Sequence, residues 1–270
     1  TYYCNVFRLL IDQPKLGSPA AGLQNWADGL AKFGMGIKLG IDVPNESKGF
    51  VPTPKYYNKY HGEGRWKSSA ILSLAIGQAE ISLTPLQLAN AAATIANRGY
   101  YITPHFVRSV NTKTGSQPMK YPRMETGIDT AYFGVVVNGM ESVVQHGTGT
   151  MGRVKDITIC GKTGTAQNPH GEDHALFICF APKENPKIAI ACVVENAGHG
   201  GTWAAPIASL LIEMYLNDSI GRLNMEKWVL DAAYLHKNEI KKEDKKDKKD
   251  PKGTKKSTVK NNTEATEQND

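Results

Sequence analysis

The segment Cys160-Gly161-Lys162-Thr163-Gly164-Thr165-Ala166-Gln167 concentrates residue types that do chemistry. Two kinds of chemistry compete for it. A Gly-Lys-Thr triplet suits a phosphate-binding loop, whose backbone N–H groups cradle a phosphate while the lysine reaches its outer oxygens. That loop needs a glycine five residues before the one preceding the lysine, and the position holds Asp156. A carboxylate there repels phosphate, and Thr163-Gly164-Thr165 opens a helix poorly, so the phosphate reading fails. The other reading is a strand edge lining a cleft for acyl transfer. On such an edge Lys162 supplies fixed positive charge beside an anionic substrate. Gly164 keeps the wall bare, so that an acyl group lies along it. The hydroxyls of Thr163 and Thr165 suit a substrate carboxylate, and a backbone N–H faces the oxyanion that develops on the attacked carbonyl.

Other candidates carry less. His170 and His174 are four apart, the spacing of two metal ligands on a helix. They stand in Asn168-Pro169-His170-Gly171-Glu172-Asp173-His174, whose Pro and Gly break helices. A loop of solvated side chains flanking the cleft is expected there, and no metal. His146 is expected at a helix C-terminus, where its charge suits the dipole. Glu195-Asn196 is expected to close a turn at a strand end. Cys4, Cys160, Cys179 and Cys192 form no C-x-x-C pair, and three of them lie in apolar runs, so buried, inert thiols are expected.

These residues need elements to hold them. Leu23, Trp26, Leu30 and Phe33 recur at helical spacing, and Gly34 and Gly36 then stop the helix. Residues 37–69, rich in Gly, Pro, Lys and Tyr, predict a long irregular connection of the kind that carries function. Thr84 as N-cap, Pro85 at the first helical position and Gln87 completing a capping box open a second helix. Its apolar face reads as Leu86, Ala89, Ala93 and Ala96, with Gly99 ending it. A third helix is predicted over 129–144, with Phe133, Val136, Val137, Met140 and Val144 inward. The character then changes. Residues 157–162, 175–181 and 187–195 are β-rich, and the Pro182-to-Pro186 loop between the last two has hairpin length, so antiparallel pairing is expected. A helix over 203–216 follows, with Ile207, Leu210, Leu211 and Met214 on one face, and then a shorter one over 225–236. A helical half followed by an antiparallel meander under a helix makes the fold class α+β.

Composition sets the outer limits. The chain has 270 residues, 40% hydrophobic and 21% charged, which excludes collagenous, disulfide-stapled and wholly disordered classes. No apolar run is long enough to span a bilayer. No signal-like segment opens the chain, and it begins with Thr1, so it reads as a piece of something longer whose anchor lies outside it. Half of the net charge of +6 comes from residues 237–270, where 11 Lys face 8 Asp and Glu around only Ile240, Val259 and Ala265 as apolar side chains. Such a stretch buries too little to offset its conformational entropy and reads as a disordered, solubilising tail. Without clustered Arg or aromatics, nucleic acid is not an expected partner.

The order of several motifs resembles the class B penicillin-binding proteins, most nearly the penicillin-binding protein 2 branch of cell elongation. They are Lys162 to Gln167, a strand ending Cys179-Phe180-Ala181-Pro182, and a strand ending Val194-Glu195-Asn196. Ile76-Gly77-Gln78-Ala79, Leu83-Thr84-Pro85-Leu86-Gln87, Gly147-Thr148 and Ala204-Ala205-Pro206-Ile207 fit as well. The resemblance covers roughly residues 1–216. It implies a five-stranded antiparallel sheet flanked by helices, an all-helical subdomain, and an active site between them. It also implies an activated serine that attacks a D-Ala-D-Ala stem peptide, is trapped by β-lactams and needs no cofactor. By the same resemblance Lys162 tunes charge and proton transfer, Thr163 and Thr165 hold the donor's carboxylate beside the bare Gly164, and the Thr165 N–H is half of the oxyanion hole.

The family's Ser-x-x-Lys and its second serine element are expected upstream of Thr1, leaving this chain without a nucleophile and inactive alone. Residues 1–222 are then the C-terminal part of a transpeptidase domain, 223–236 a terminal helix and 237–270 the tail. The implied partners are peptidoglycan stem peptides, β-lactams and a membrane glycosyltransferase of the elongation machinery. The implied place is the periplasmic face of the inner membrane. Competing readings on the same residues are a serine β-lactamase or D,D-carboxypeptidase, and a non-catalytic sensor or scaffold.

Overall fold

The computed structural model describes residues 2–232. Its first half is helical. α1 (Tyr2–Ile11) turns Phe7 and Ile11 inward, and α2 (Pro19–Ala31) begins where the Ser18 hydroxyl accepts from the Ala21 N–H. α2 stops at Ala31, two residues short of Phe33, and Gly34 and Gly36 turn the chain just beyond.

The connection over 37–69 is not wholly irregular, contrary to expectation. It holds α3 (Pro54–His61), whose inward face is aromatic rather than aliphatic and so shows no hydrophobic period. Tyr57 is 3% exposed, with its ring 5.4 Å from that of Trp66. A 3-10 stretch, Ser68–Ile76, adds Ile71 and Leu74 to the cluster of Phe7, Ile11 and Leu23.

α4 (Pro85–Ala96) carries the expected capping box. Thr84 Oγ1 accepts from the Gln87 N–H at 3.2 Å, and Gln87 Oε1 accepts from the Thr84 N–H at 3.0 Å. Its buried face differs from the expected one. Leu86 is exposed, whereas Gln87, Asn90 and Thr94 are buried. The reason is local satisfaction: Gln87 Nε2 donates to the carbonyls of Ile37 and Lys48, and Asn90 Nδ2 to that of Phe33. The polar side of α4 thus pins the connection that the sequence left without structure.

Four short strands that no sequence signal announced come next. β1 (Tyr100–Ile102) pairs antiparallel with β4 (Arg123–Glu125), and β2 (Ser109–Thr112) with β3 (Gly115–Pro118) between them. α5 (Ala131–His146) buries Phe133, Val137, Met140 and Val144, but Val136 is 47% exposed.

The main sheet comprises β5 (Cys160–Ala166), β6 (His174–Ala181) and β7 (Ile188–Val194), antiparallel in that order. β5 begins later than the 157–162 run and contains all of Lys162 to Thr165. Ile157 instead bridges Val154 across a tight turn. Alternate residues serve opposite layers. Ala175, Phe177, Cys179 and Ala181 pack with Ala204, Ala205, Ala208 and Ile212 of α6 (Ala204–Asn217). Cys160 and Phe180 pack the other way, with Ala96 of α4 and Val137 and Met140 of α5. Each fully buried Phe contributes on the order of 2–3 kcal/mol. α6 therefore shows its alanine side to the sheet. Leu211 and Met214, expected inward, are 52% and 50% exposed, because the close approach that alanines allow decides the face.

The architecture is α+β, an antiparallel sheet flanked by helices. The described residues place three strands in this sheet, against the five the resemblance implies. Residues 223–232 are helical, and the rest of the expected last helix and the tail lie outside the described residues. Cys160 and Cys179 are buried, as expected of inert thiols, and burial pushes the Cys160 thiol up to about 11. Cys4 and Cys192 are half-buried.

Candidate active site

β5 is an edge of its sheet among the described residues, and backbone parity decides what that edge offers. In an antiparallel strand each residue turns its N–H and C=O to the same side, and neighbours alternate. The Thr165 carbonyl accepts from Gln78 Nε2 at 3.1 Å, from outside the sheet. The Thr163 carbonyl accepts from Lys162 Nζ at 2.6 Å. Thr163 and Thr165 thus direct their backbone outward, and the Thr165 N–H points into the space beside β5. Lys162 and Gly164 turn theirs inward, opposite Ile178 and Leu176.

Side chains alternate as well. Thr163 Oγ1 lies 2.6 Å from Thr148 Oγ1, which comes from the turn after α5. Lys162 is exposed on the opposite face, which it shares with Gly164. Gly164 is bare for more than one reason: a Cβ there would stand 3.2 Å from Leu176 Cβ.

Two segments frame the edge. Gly77, at φ +73°, ends the Ser68–Ile76 stretch in the left-handed region, and the next N–H, of Gln78, donates to the Ser73 carbonyl. That sharp turn aims Gln78 at β5. Beyond it, Glu80 Oε2 accepts from the Tyr57 hydroxyl at 2.6 Å. Burial and the adjacent Glu80 carboxylate together push the Tyr57 phenol well above its ordinary range. On the other side, a Cβ on Gly200 would fall on the Leu176 carbonyl and 2.5 Å from the Gly164 carbonyl, and one on Gly201 on the Thr148 carbonyl. The Gly200-Gly201 pair lies flat against β5 and β6.

The four expected site residues therefore share seven residues of one strand. The structure adds Gln78, Thr148, Gly200 and Gly201, whose roles depend on contacts remote in sequence. The histidines are not drawn together as ligands. His174 Nδ1 accepts from the Asn196 N–H at 3.0 Å, and the His170 N–H donates to Asn168 Oδ1. Asn196, at φ +54°, closes its turn as expected and also accepts from Asn168 Nδ2. His146 is the last residue of α5.

Two stretches of this chain match the residue patterns of the family's serine elements. Ser109-Val110-Asn111 has the pattern of the second element, but it lies in β2, paired with Ser116 to Pro118 on an exposed ribbon. Ser257-Thr258-Val259-Lys260 has the pattern of the first. It follows Lys162 instead of preceding it, and it lies outside the described residues.

The family model "Penicillin binding protein transpeptidase domain" matches residues 1–213. The chain belongs to this family. The peptidoglycan D,D-transpeptidase MrdA of Acinetobacter baumannii is 33% identical over 216 residues, which are 72% of this chain and 31% of that protein. The crystal structure of Pseudomonas aeruginosa PBP2 matches with a TM-score of 0.67 at 33% identity, covering 80% of this chain and 45% of its own. PBP2 of Helicobacter pylori gives 0.63 at 28%, with 79% and 37% covered. The chain spans about a third of the length of the curated relatives it matches.

Proposed function

We propose that this chain forms one wall of a serine D,D-transpeptidase site that cross-links peptidoglycan and is acylated by β-lactams. The observation that carries the proposal is the edge of β5, where one strand offers an outward Thr165 N–H, the Thr163 hydroxyl on one face, and the Lys162 ammonium folded from the other face onto the outward Thr163 carbonyl. A D-Ala-D-Ala donor would lie along this edge with its terminal carboxylate at the Thr163 and Thr165 hydroxyls. Serine attack on the penultimate carbonyl puts negative charge on its oxygen, which the Thr165 N–H stabilises together with the nucleophile's own N–H. Collapse expels D-Ala and leaves an acyl-enzyme, which an amine of a neighbouring stem peptide then resolves. Lys162 holds positive charge beside the reacting groups and assists proton transfer.

The nucleophile and its base come from sequence outside this chain, and a segment outside it anchors the domain at the periplasmic face of the inner membrane. There it works beside a glycosyltransferase of cell elongation. Support comes from the family match and from relatives that are named peptidoglycan D,D-transpeptidases.

The test is fluorescent penicillin followed by a denaturing gel. A full-length protein containing this chain should label, and the 270-residue chain alone should not. A labelled band from the chain alone, lost in Ser257→Ala or in Ser109→Ala, would put the nucleophile inside it and overturn the assignment.

A further inference from the structure

The transpeptidase reading leaves the β2–β3 ribbon without a role. Every residue from 105 to 120 is exposed, so neither face of the ribbon packs against the body. Two-stranded hairpins are marginal alone, and this one is clamped at its base. Asp42 accepts from the N–H of Phe106 at 2.9 Å and of Val107 at 2.7 Å. The Tyr121 hydroxyl donates to the Val107 carbonyl at 2.6 Å, and the Tyr121 ring stacks on His105 at 3.6 Å. The clamp fixes where the ribbon projects and leaves it uncovered.

The ribbon's charge has one sign. Between Glu80 and Glu125 the sequence contains no carboxylate. Glu125 is paired with Arg123, and Asp42 is engaged in the clamp. Arg108, Lys113 and Lys120 are exposed and form no ion pair among the described residues. Arg108 stands opposite Met119, on the face that carries Val110 and Gln117. Lys113 sits at the tip and Lys120 follows β3, so cations are spread over the whole ribbon. Phe106 is 78% exposed at the base.

We propose that this ribbon holds the peptidoglycan network through the free carboxylates of its stem peptides, without taking part in the reaction at β5. The proposal rests on the transpeptidase reading for its choice of polyanion. A lipid surface calls for one apolar and one basic face, and a folded partner for a packed apolar patch. Here Arg108 shares its face with the exposed Val110 and Met119, so the ribbon does not divide into one basic and one apolar face, and its charge, at the tip and along its length, suits an open polymer that carries carboxylates at regular intervals.

The experiment is co-sedimentation of the 270-residue chain with purified sacculi at low salt, after subtraction of what sediments without them. Replacing Arg108, Lys113 and Lys120 together by Gln should weaken binding roughly ten-fold, since each exposed charge contributes modestly. Amidating the sacculus carboxylates should weaken the parent chain to the same level. The charge-matched control, with Lys255, Lys256 and Lys260 replaced by Gln, should bind like the parent. Circular dichroism should show the ribbon variant folded as the parent is. Unchanged binding of the ribbon variant, an equal loss in the tail control, or indifference to amidation would each overturn the proposal. Penicillin acylation of the full-length protein carrying the ribbon substitutions should be unchanged. Failure of the unsubstituted full-length protein to acylate would instead sink the transpeptidase reading.

Discussion

At the scale of single residues, β5 divides its duties by parity: odd positions show backbone to the cleft and even positions show it to β6. Lys162 is exposed, and among the described residues its ammonium donates only to the neighbouring Thr163 carbonyl, so little of the fold depends on its side chain. In a full-length protein, Lys162→Ala should therefore slow β-lactam acylation by about 100-fold or more while leaving the melting temperature nearly unchanged. Stopped-flow acylation kinetics beside a thermal melt separates the two, and near-parental acylation would remove Lys162 from the site. Gly200 makes the opposite case, a residue that matters through what it lacks. Gly200→Ala drives a methyl into the carbonyls of Gly164 and Leu176, and overpacking of this kind costs about 1–3 kcal/mol. Urea denaturation should show that loss. An unchanged midpoint would mean that the Gly200-Gly201 segment lifts off the strands without cost.

At the scale of elements, α3 supports the Gln78 segment through one polar contact. The Tyr57 hydroxyl holds Glu80, two residues beyond the side chain that meets β5. Tyr57→Phe keeps the ring beside Trp66 but leaves a half-buried carboxylate short of a donor, and should cost about 1 kcal/mol in urea unfolding. No loss would show that water replaces the hydroxyl. Elements of this kind were the least legible in the sequence. The capping box from Thr84 to Gln87 and the hairpin before Pro186 could be read because local chemistry alone decides them. α3 could not, because tyrosines that stack on a remote tryptophan leave no period. The buried face of α4 was misread for a related reason, since Gln87 and Asn90 go inward only because distant carbonyls need donors there. The site divided in the same way. Lys162 to Thr165 stood out as a contiguous motif, whereas Gln78, Thr148 and the glycine pair join it only through the tertiary fold.

At the scale of the whole molecule, β7 is where sequence and surroundings disagree. Its residues Ile188 to Val194 form an unbroken apolar run, the composition of a strand buried on both faces and paired at both edges. Yet none of the seven is fully buried, and among the described residues β7 has β6 as its only partner. Unpaired N–H and C=O groups along an apolar strand are a template for pairing with another chain. The chain on its own should therefore self-associate as its concentration rises, in sedimentation velocity as in light scattering. Val193 is the test position, because it is the most exposed residue of β7 and faces away from the layer in which Cys192 packs. Val193→Lys places a charge beside the open edge, where natural edge strands carry one, and should shift the distribution toward monomer without lowering the unfolding free energy by more than about 1 kcal/mol. A parent chain that stays monomeric throughout, or a lysine variant that associates equally, would show that the edge is already protected.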